Sequence, residues 1–153
     1  KIMLAQALPL FKEYICIYTI YVFYYFSLMN HQTIFLTAIV TFILGMLWYS
    51  PLLFGTKWAK MMKIDMKKKP KAVVFLWAFI SGLIKVYAFA WVLSLGNFPT
   101  QDSALMLFFA LWLGIVCTHE FGKCLWSKQK SGAMAINILY FLVEFGVIAC
   151  MLT

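Results

Sequence analysis

The stretch AVVFLWAFISGLIKVYAFAWVLSL, residues 72–95, carries one charge, Lys85, in 24 residues. About 20 apolar residues in a helix cross the roughly 30 Å of a bilayer's hydrocarbon, so this run reads as a membrane span. Its left flank holds seven lysines, Lys57 to Lys71, and a second group of three, Lys123 to Lys130, follows the next apolar run. The composition agrees: 65% of the 153 residues are hydrophobic and 19% aromatic, with a mean hydropathy of +0.90. Too little polar surface remains to clothe a soluble globule of that size. The fold class that follows is all-α, an integral membrane helical bundle.

Further runs cover residues 14–29, 33–54, 103–118 and 132–152, and helicity in the third core span is expected to continue through Phe121. Those from residue 33 onward, with 72–95, make four transmembrane helices. Residues 14–29 read either as an additional membrane helix or as a signal peptide. The run is aromatic rather than leucine-rich and no small-x-small cleavage site follows it, which favours the membrane helix. The chain thus divides into an apolar extension, 1–29, and a single four-span domain, 30–153. Lysines in short loops near span ends stay on the cytoplasmic side. The two basic segments lie two spans apart and fall on one side, a pattern that tolerates four spans or five.

A net charge of +8 in a soluble domain would suggest nucleic acid, but these lysines flank hydrophobic spans and no arginine accompanies them. The partner expected is the lipid bilayer, with anionic lipids on the cytoplasmic face, in a bacterial inner or plasma membrane. Lys57, Lys60, Lys63 and Lys67 recur at helical spacing, opposite Trp58, Met61, Met62 and Met66. This pattern predicts an interfacial helix whose lysines meet lipid head groups or serve only as a topological anchor. Pro70 suits the first turn of the helix after it.

The most specific string is GMLWYSPLLFGTKW, residues 45–58. Trp48 and Tyr49 suit the membrane interface, Pro51 interrupts the helix, and Gly55 lets the backbone turn. The string resembles the opening motif of the family known as domain of unknown function 1761, through Gly45, Trp48, Tyr49, Ser50, Pro51, Leu52, Leu53, Phe54, Gly55 and Trp58. A looser similarity continues through Trp112, Leu113, Gly114, Thr118, Asn137 and Tyr140. The resemblance spans about residues 30 to 152 and implies a four-span helical domain without implying an activity. Because members of that family begin near the position of Met29, it also marks residues 1–28 as an addition or an upstream translation.

A charge inside a span costs about 2.5–3.5 kcal/mol at the centre on insertion scales, so Lys85 and Glu144 call for a partner or a wet cavity. Lys85 lies 14 residues past Lys71 and Glu144 lies 13 past Ser131, roughly 20 Å deep in both cases at about 1.5 Å per residue. The two charges are level and are expected to face each other, with Ser81 one turn from the lysine. Asn137, Tyr140 and Glu144 share a helix face and extend the pair into a polar seam.

Cys117, Glu120 and Cys124 lie on one face as well, but two thiolates about 10 Å apart along a helix cannot share a zinc ion. No metal and no cofactor are expected. The HEFGK run lacks the second histidine of HExxH, and Glu120 is expected to reach Lys123, with His119 at the head groups or a neighbouring helix. Cys16, Cys117, Cys124 and Cys150 show no CxxC spacing and no disulfide framework. Small residues repeat at Thr37, Thr41 and Gly45 and again at Ala110, Gly114 and Thr118, marking close helix contacts within one chain or between subunits of a homo-oligomer or membrane complex.

No catalytic motif is present, and the chain is not expected to be an enzyme. The leading expectation is a structural or accessory membrane subunit locked by the Lys85–Glu144 pair. The alternative is a small proton- or ion-coupled carrier using Glu144. A lipid-modifying enzyme built on His119 and Glu120 has weaker support than either. Water reaching Glu144 would favour the carrier, and a dry packed centre the subunit.

Overall fold

The computed structural model describes residues 29–66, 70–96 and 100–153, and every regular element among them is helical. The helix expected before Met29 and the head-group lysine Lys67 lie outside these residues. In chain order the elements are α1 (His31–Trp48), α2 (Gly55–Met62), α3 (Ala72–Gly96), α4 (Gln101–Leu111), α5 (Thr118–Trp126) and α6 (Ser131–Leu152). A π-helical stretch, Trp112–Cys117, joins α4 to α5. Among the described residues, four helices are long and apolar enough to cross a bilayer: α1, α3, the continuous Gln101–Trp126 and α6. The chain is an all-α integral membrane bundle.

Local chemistry sets the helix ends. Asn30 accepts a hydrogen bond from the Thr33 amide and caps α1, while Thr100 and Ser103 form a reciprocal capping box ahead of α4. At its other end α1 stops at Trp48, short of the Phe54 expected from hydropathy. Ser50 is responsible: its hydroxyl donates to the Leu47 carbonyl at 2.7 Å and accepts from the Leu52 amide, and its carbonyl accepts from the Gly55 amide at 3.0 Å. Pro51 has no amide to continue the ladder.

Gly55 has an ordinary backbone conformation among glycines none of which is left-handed. Its requirement is space, not torsional freedom, because a Cβ there would run into the carbonyls of Tyr49 and Ser50. Those are backbone atoms and cannot swing aside. Gly55→Ala is expected to lower stability by about 1–3 kcal/mol, toward the upper end, seen as a fall in Tm. Gly82→Ala, at a glycine with nothing within 4 Å of an added Cβ, is the control and should show no loss.

Packing differs between the two ends of the bundle. α1 lies between α3 and α6, and α4 packs on α6. Ile34 and Ala38 of α1, Val86 of α3, Phe108 of α4, and Phe145, Ile148 and Ala149 of α6 form one buried cluster. All of them lie in the half remote from the lysine-rich loops. There Phe89 packs tilted against Phe108 and edge-on to Phe145 with ring centroids 4.7 and 4.6 Å apart, tying three helices together. Toward the basic end α3 separates from its neighbours, and residues 72–78 are all exposed from the bundle. Pro70 stands ahead of the first turn of α3 rather than within it.

α2 departs from the expected surface helix. It ends at Met62, with Lys63 in the left-handed conformation at φ 57°. Its buried face is Gly55 and Ala59, while Met62 and Met66 are exposed. That face docks on the start of α6, where the Met61 sulfur sits against Gly132. Lys57, Lys60 and Lys63 point outward and are exposed.

Candidate functional site

Two polar clusters lie along the face of α6 that carries Asn137, Tyr140 and Glu144. They are about 10 Å apart at 1.5 Å per residue. The deeper is the expected ion pair: Lys85 Nζ donates to Glu144 Oε1 at 2.6 Å. The Tyr140 hydroxyl donates to the same oxygen at 3.1 Å, and the lysine ammonium also lies 5.3 Å from the centroid of the Phe141 ring. The two partners are unequally sheltered, with the Lys85 side chain 28% exposed and that of Glu144 only 2%. The second carboxylate oxygen of Glu144 is buried and has no hydrogen-bond partner among the described residues.

The second cluster binds together the turn after α1, α2, α5 and α6, and Asn137 is its hub. Its side-chain oxygen accepts from the Tyr49 hydroxyl at 3.1 Å and from the Trp58 indole at 3.0 Å, while its amide donates to Glu120 Oε2 at 2.9 Å. Glu120 also accepts from Lys123 at 2.5 Å, the one-turn pair expected, and from Gln129 at 3.4 Å. Burial, reinforced by the nearby Glu120 and Glu144 carboxylates, pushes the Tyr49 phenol above its ordinary value. It therefore stays protonated as a donor. The single seam expected along α6 is thus divided, with Asn137 serving the turn and Tyr140 serving the ion pair.

The GMLWYSPLLFGTKW string now has a physical role. Gly45 admits the Tyr140 hydroxyl, which would lie 2.9 Å from an added Cβ. Trp48 donates to the Ile136 carbonyl at 3.3 Å and stacks on Phe54 at 4.8 Å between centroids, and Tyr49 packs edge-on to Trp58. The string forms a seat for residues 136–140 of α6. Leu52 and Leu53, by contrast, are exposed.

Glu120 is buried, only 3% exposed. Sixteen residues separate it from Ala104 on the buried face, which in an unbroken α-helix leaves the two roughly 160° apart. The π-helical stretch turns through a smaller angle per residue and brings Glu120 back toward the bundle. Of the two small-residue stripes, Ala110, Gly114 and Thr118 face outward among the described residues, while Thr37 and Thr41 are buried and Gly45 lies against Tyr140 of α6. His119 is exposed, Cys124 donates to the Gln129 carbonyl at 3.0 Å, and the described residues contain no group of three or more potential metal ligands.

Where α3 separates from α1 and α6, a cavity of about 600 Å³ opens. Its walls are Thr41, Phe42, Gly45, Met46 and Tyr49 of α1 and the following turn, and Val74, Phe75, Ala78, Ser81 and Gly82 along one face of α3, with Pro70 ahead of it. Lys85 and Glu144 lie at its inner end beside Tyr140 and Phe141. Ser81, expected beside the lysine, is exposed here and donates to the Ala78 carbonyl at 3.0 Å, contacting neither charge. The volume is within the roughly 300–1,000 Å³ typical of small-molecule sites.

No curated protein and no solved structure matches this chain. A family model described as "Protein of unknown function (DUF1761)" matches residues 32–153, the four spans and both polar clusters. The chain belongs to that family.

Proposed function

We propose that this chain is a small-molecule binding protein of the membrane, of the carrier type, with Lys85 and Glu144 as the polar end of its ligand site. The observation behind this reading is the vestibule itself, which leads between three spans to the Lys85–Glu144 ion pair. A pair serving only to lock helices would be favoured by close packing on all sides. Here small residues, Ser81 and Gly82, leave the approach open, and among the described residues no side chain or neighbouring helix lies within 4 Å of a Cβ added at Gly82. With the lysine-rich loops in the cytoplasm, the vestibule opens inward and the packed aromatic half forms the outer closure. An accessory-subunit role finds support in the outward-facing Ala110, Gly114 and Thr118, and a carrier can also assemble through such a stripe.

The test is ligand-dependent stabilisation in lipid nanodiscs, using eight-carbon amphiphiles with anionic, cationic and neutral heads. At least one should raise Tm saturably, equivalent to about 2.7 kcal/mol at 100 times its Kd. Gly82→Trp, which fills the vestibule from a position with free space, should fold and lose the effect. Absence of stabilisation by every amphiphile, or equal stabilisation of Gly82→Trp, would contradict the proposal.

A further inference from the structure

Building on the vestibule as a ligand site, we infer that its ligand is a monoanionic amphiphile and that Glu144 takes up one proton for each anion seated at Lys85. The first support is which charge a ligand can meet. Lys85 is the exposed member of the pair and Glu144 is sealed behind it, so an entering head group encounters the ammonium. The basic end of the bundle adds Lys57, Lys60 and Lys63, all exposed, which raise the local concentration of anions. The wall presents apolar surface from Phe42, Val74 and Phe75, suited to an alkyl or aryl body.

The second support is charge conservation in a medium of low dielectric. The free site is neutral as a Lys85 cation and a Glu144 anion. An anion arriving alone would leave a net negative charge within the bilayer, a state that is costly there. Uptake of one proton from water by Glu144 restores neutrality: the hydrogen bond from Lys85 to Glu144 gives way to one from Lys85 to the ligand. No covalent bond changes except the new O–H. Protonation of Glu144 breaks no hydrogen bond at its second oxygen, which has no partner among the described residues.

The other titratable or charged groups around the carboxylate are Tyr140 on its own helix and Tyr49 after α1, with Glu120 and Lys123 of α5 in the adjoining cluster. Glu120 already accepts three hydrogen bonds. Glu144 is therefore the carboxylate positioned to change state. A cationic ligand would instead require Lys85 to lose a proton and to leave the position through which Glu144 is reached.

Octane-1-sulfonate is a suitable probe because its head remains anionic throughout the working range, so any proton taken up belongs to the protein. In nanodiscs of zwitterionic lipid, binding is followed by calorimetry, and proton uptake by a dye in weak buffer. The expected result is one proton per sulfonate and an affinity that rises about tenfold for each unit fall in pH. Glu144→Gln should bind the sulfonate with neither proton uptake nor pH dependence, and the neutral double variant Lys85→Met/Glu144→Gln should fold without binding it. Sulfonate binding without proton uptake, or tight binding of octyltrimethylammonium with proton release, would overturn the anion and proton assignment while leaving the vestibule as a ligand site. Failure of sulfonate, ammonium and octanol alike to bind would overturn both.

Discussion

Replacing Lys85 with methionine is expected to destabilise the folded bundle by about 3–5 kcal/mol, the cost of leaving the Glu144 carboxylate buried without its counter-ion. The reverse removal, Glu144→Leu, should cost distinctly less. Lys85 is 28% exposed along the vestibule and can turn its ammonium toward water, whereas Glu144, at 2%, has no such route. The double variant Lys85→Met/Glu144→Leu should recover most of the loss, because two apolar side chains of similar volume replace a pair whose attraction largely offsets its own desolvation. Reversible unfolding of the four proteins in mixed micelles measures all three differences and the coupling between the sites. Equal losses from the two single replacements would contradict the asymmetric burial on which the ligand site depends.

The level placement of Lys85 and Glu144 was legible in the sequence because each lies on an unbroken helix that can be measured from the same membrane face. A rise of about 1.5 Å per residue is then a usable ruler. That ruler does not apply to Glu120. The π-helical stretch between Trp112 and Cys117 changes the angular phase of everything after it, and no local residue pattern announces it. Of the two small-residue stripes, spacing alone does not say which packs inside the chain; Ala110, Gly114 and Thr118 face outward, while Thr37 and Thr41 are buried.

The turn after Trp48 shows a second limit. Hydropathy extends α1 to Phe54, since Leu52, Leu53 and Phe54 are as apolar as a span. Pro51 marks the break in the sequence, and the hydrogen bonds of Ser50, which the residue pattern does not show, complete it. The partners of Tyr49 and Trp58 are equally hidden, because Asn137 lies 79 residues or more along the chain from either. Resemblance identified these residues as a motif, and geometry gives them a purpose. They seat the start of α6 and thereby set the position of Tyr140 and Glu144 one and two turns further on.

Access to the ion pair from the basic end has the largest effect of all, and it is measured most directly by thiol labelling. In a chain whose natural cysteines have been replaced, Ser81→Cys places a thiol on the vestibule wall one turn from Lys85, and Ala90→Cys places one against the packed aromatic half. Only a hydrated thiol ionises and reacts, so the rates should differ by more than about 100-fold. A membrane-impermeant thiol reagent added on the side of the lysine-rich loops should label Ser81→Cys and leave Ala90→Cys untouched. Added on the opposite side, it should label neither. A Ser81→Cys thiol that resists the reagent from the basic side, or reacts only from the other, would contradict the vestibule.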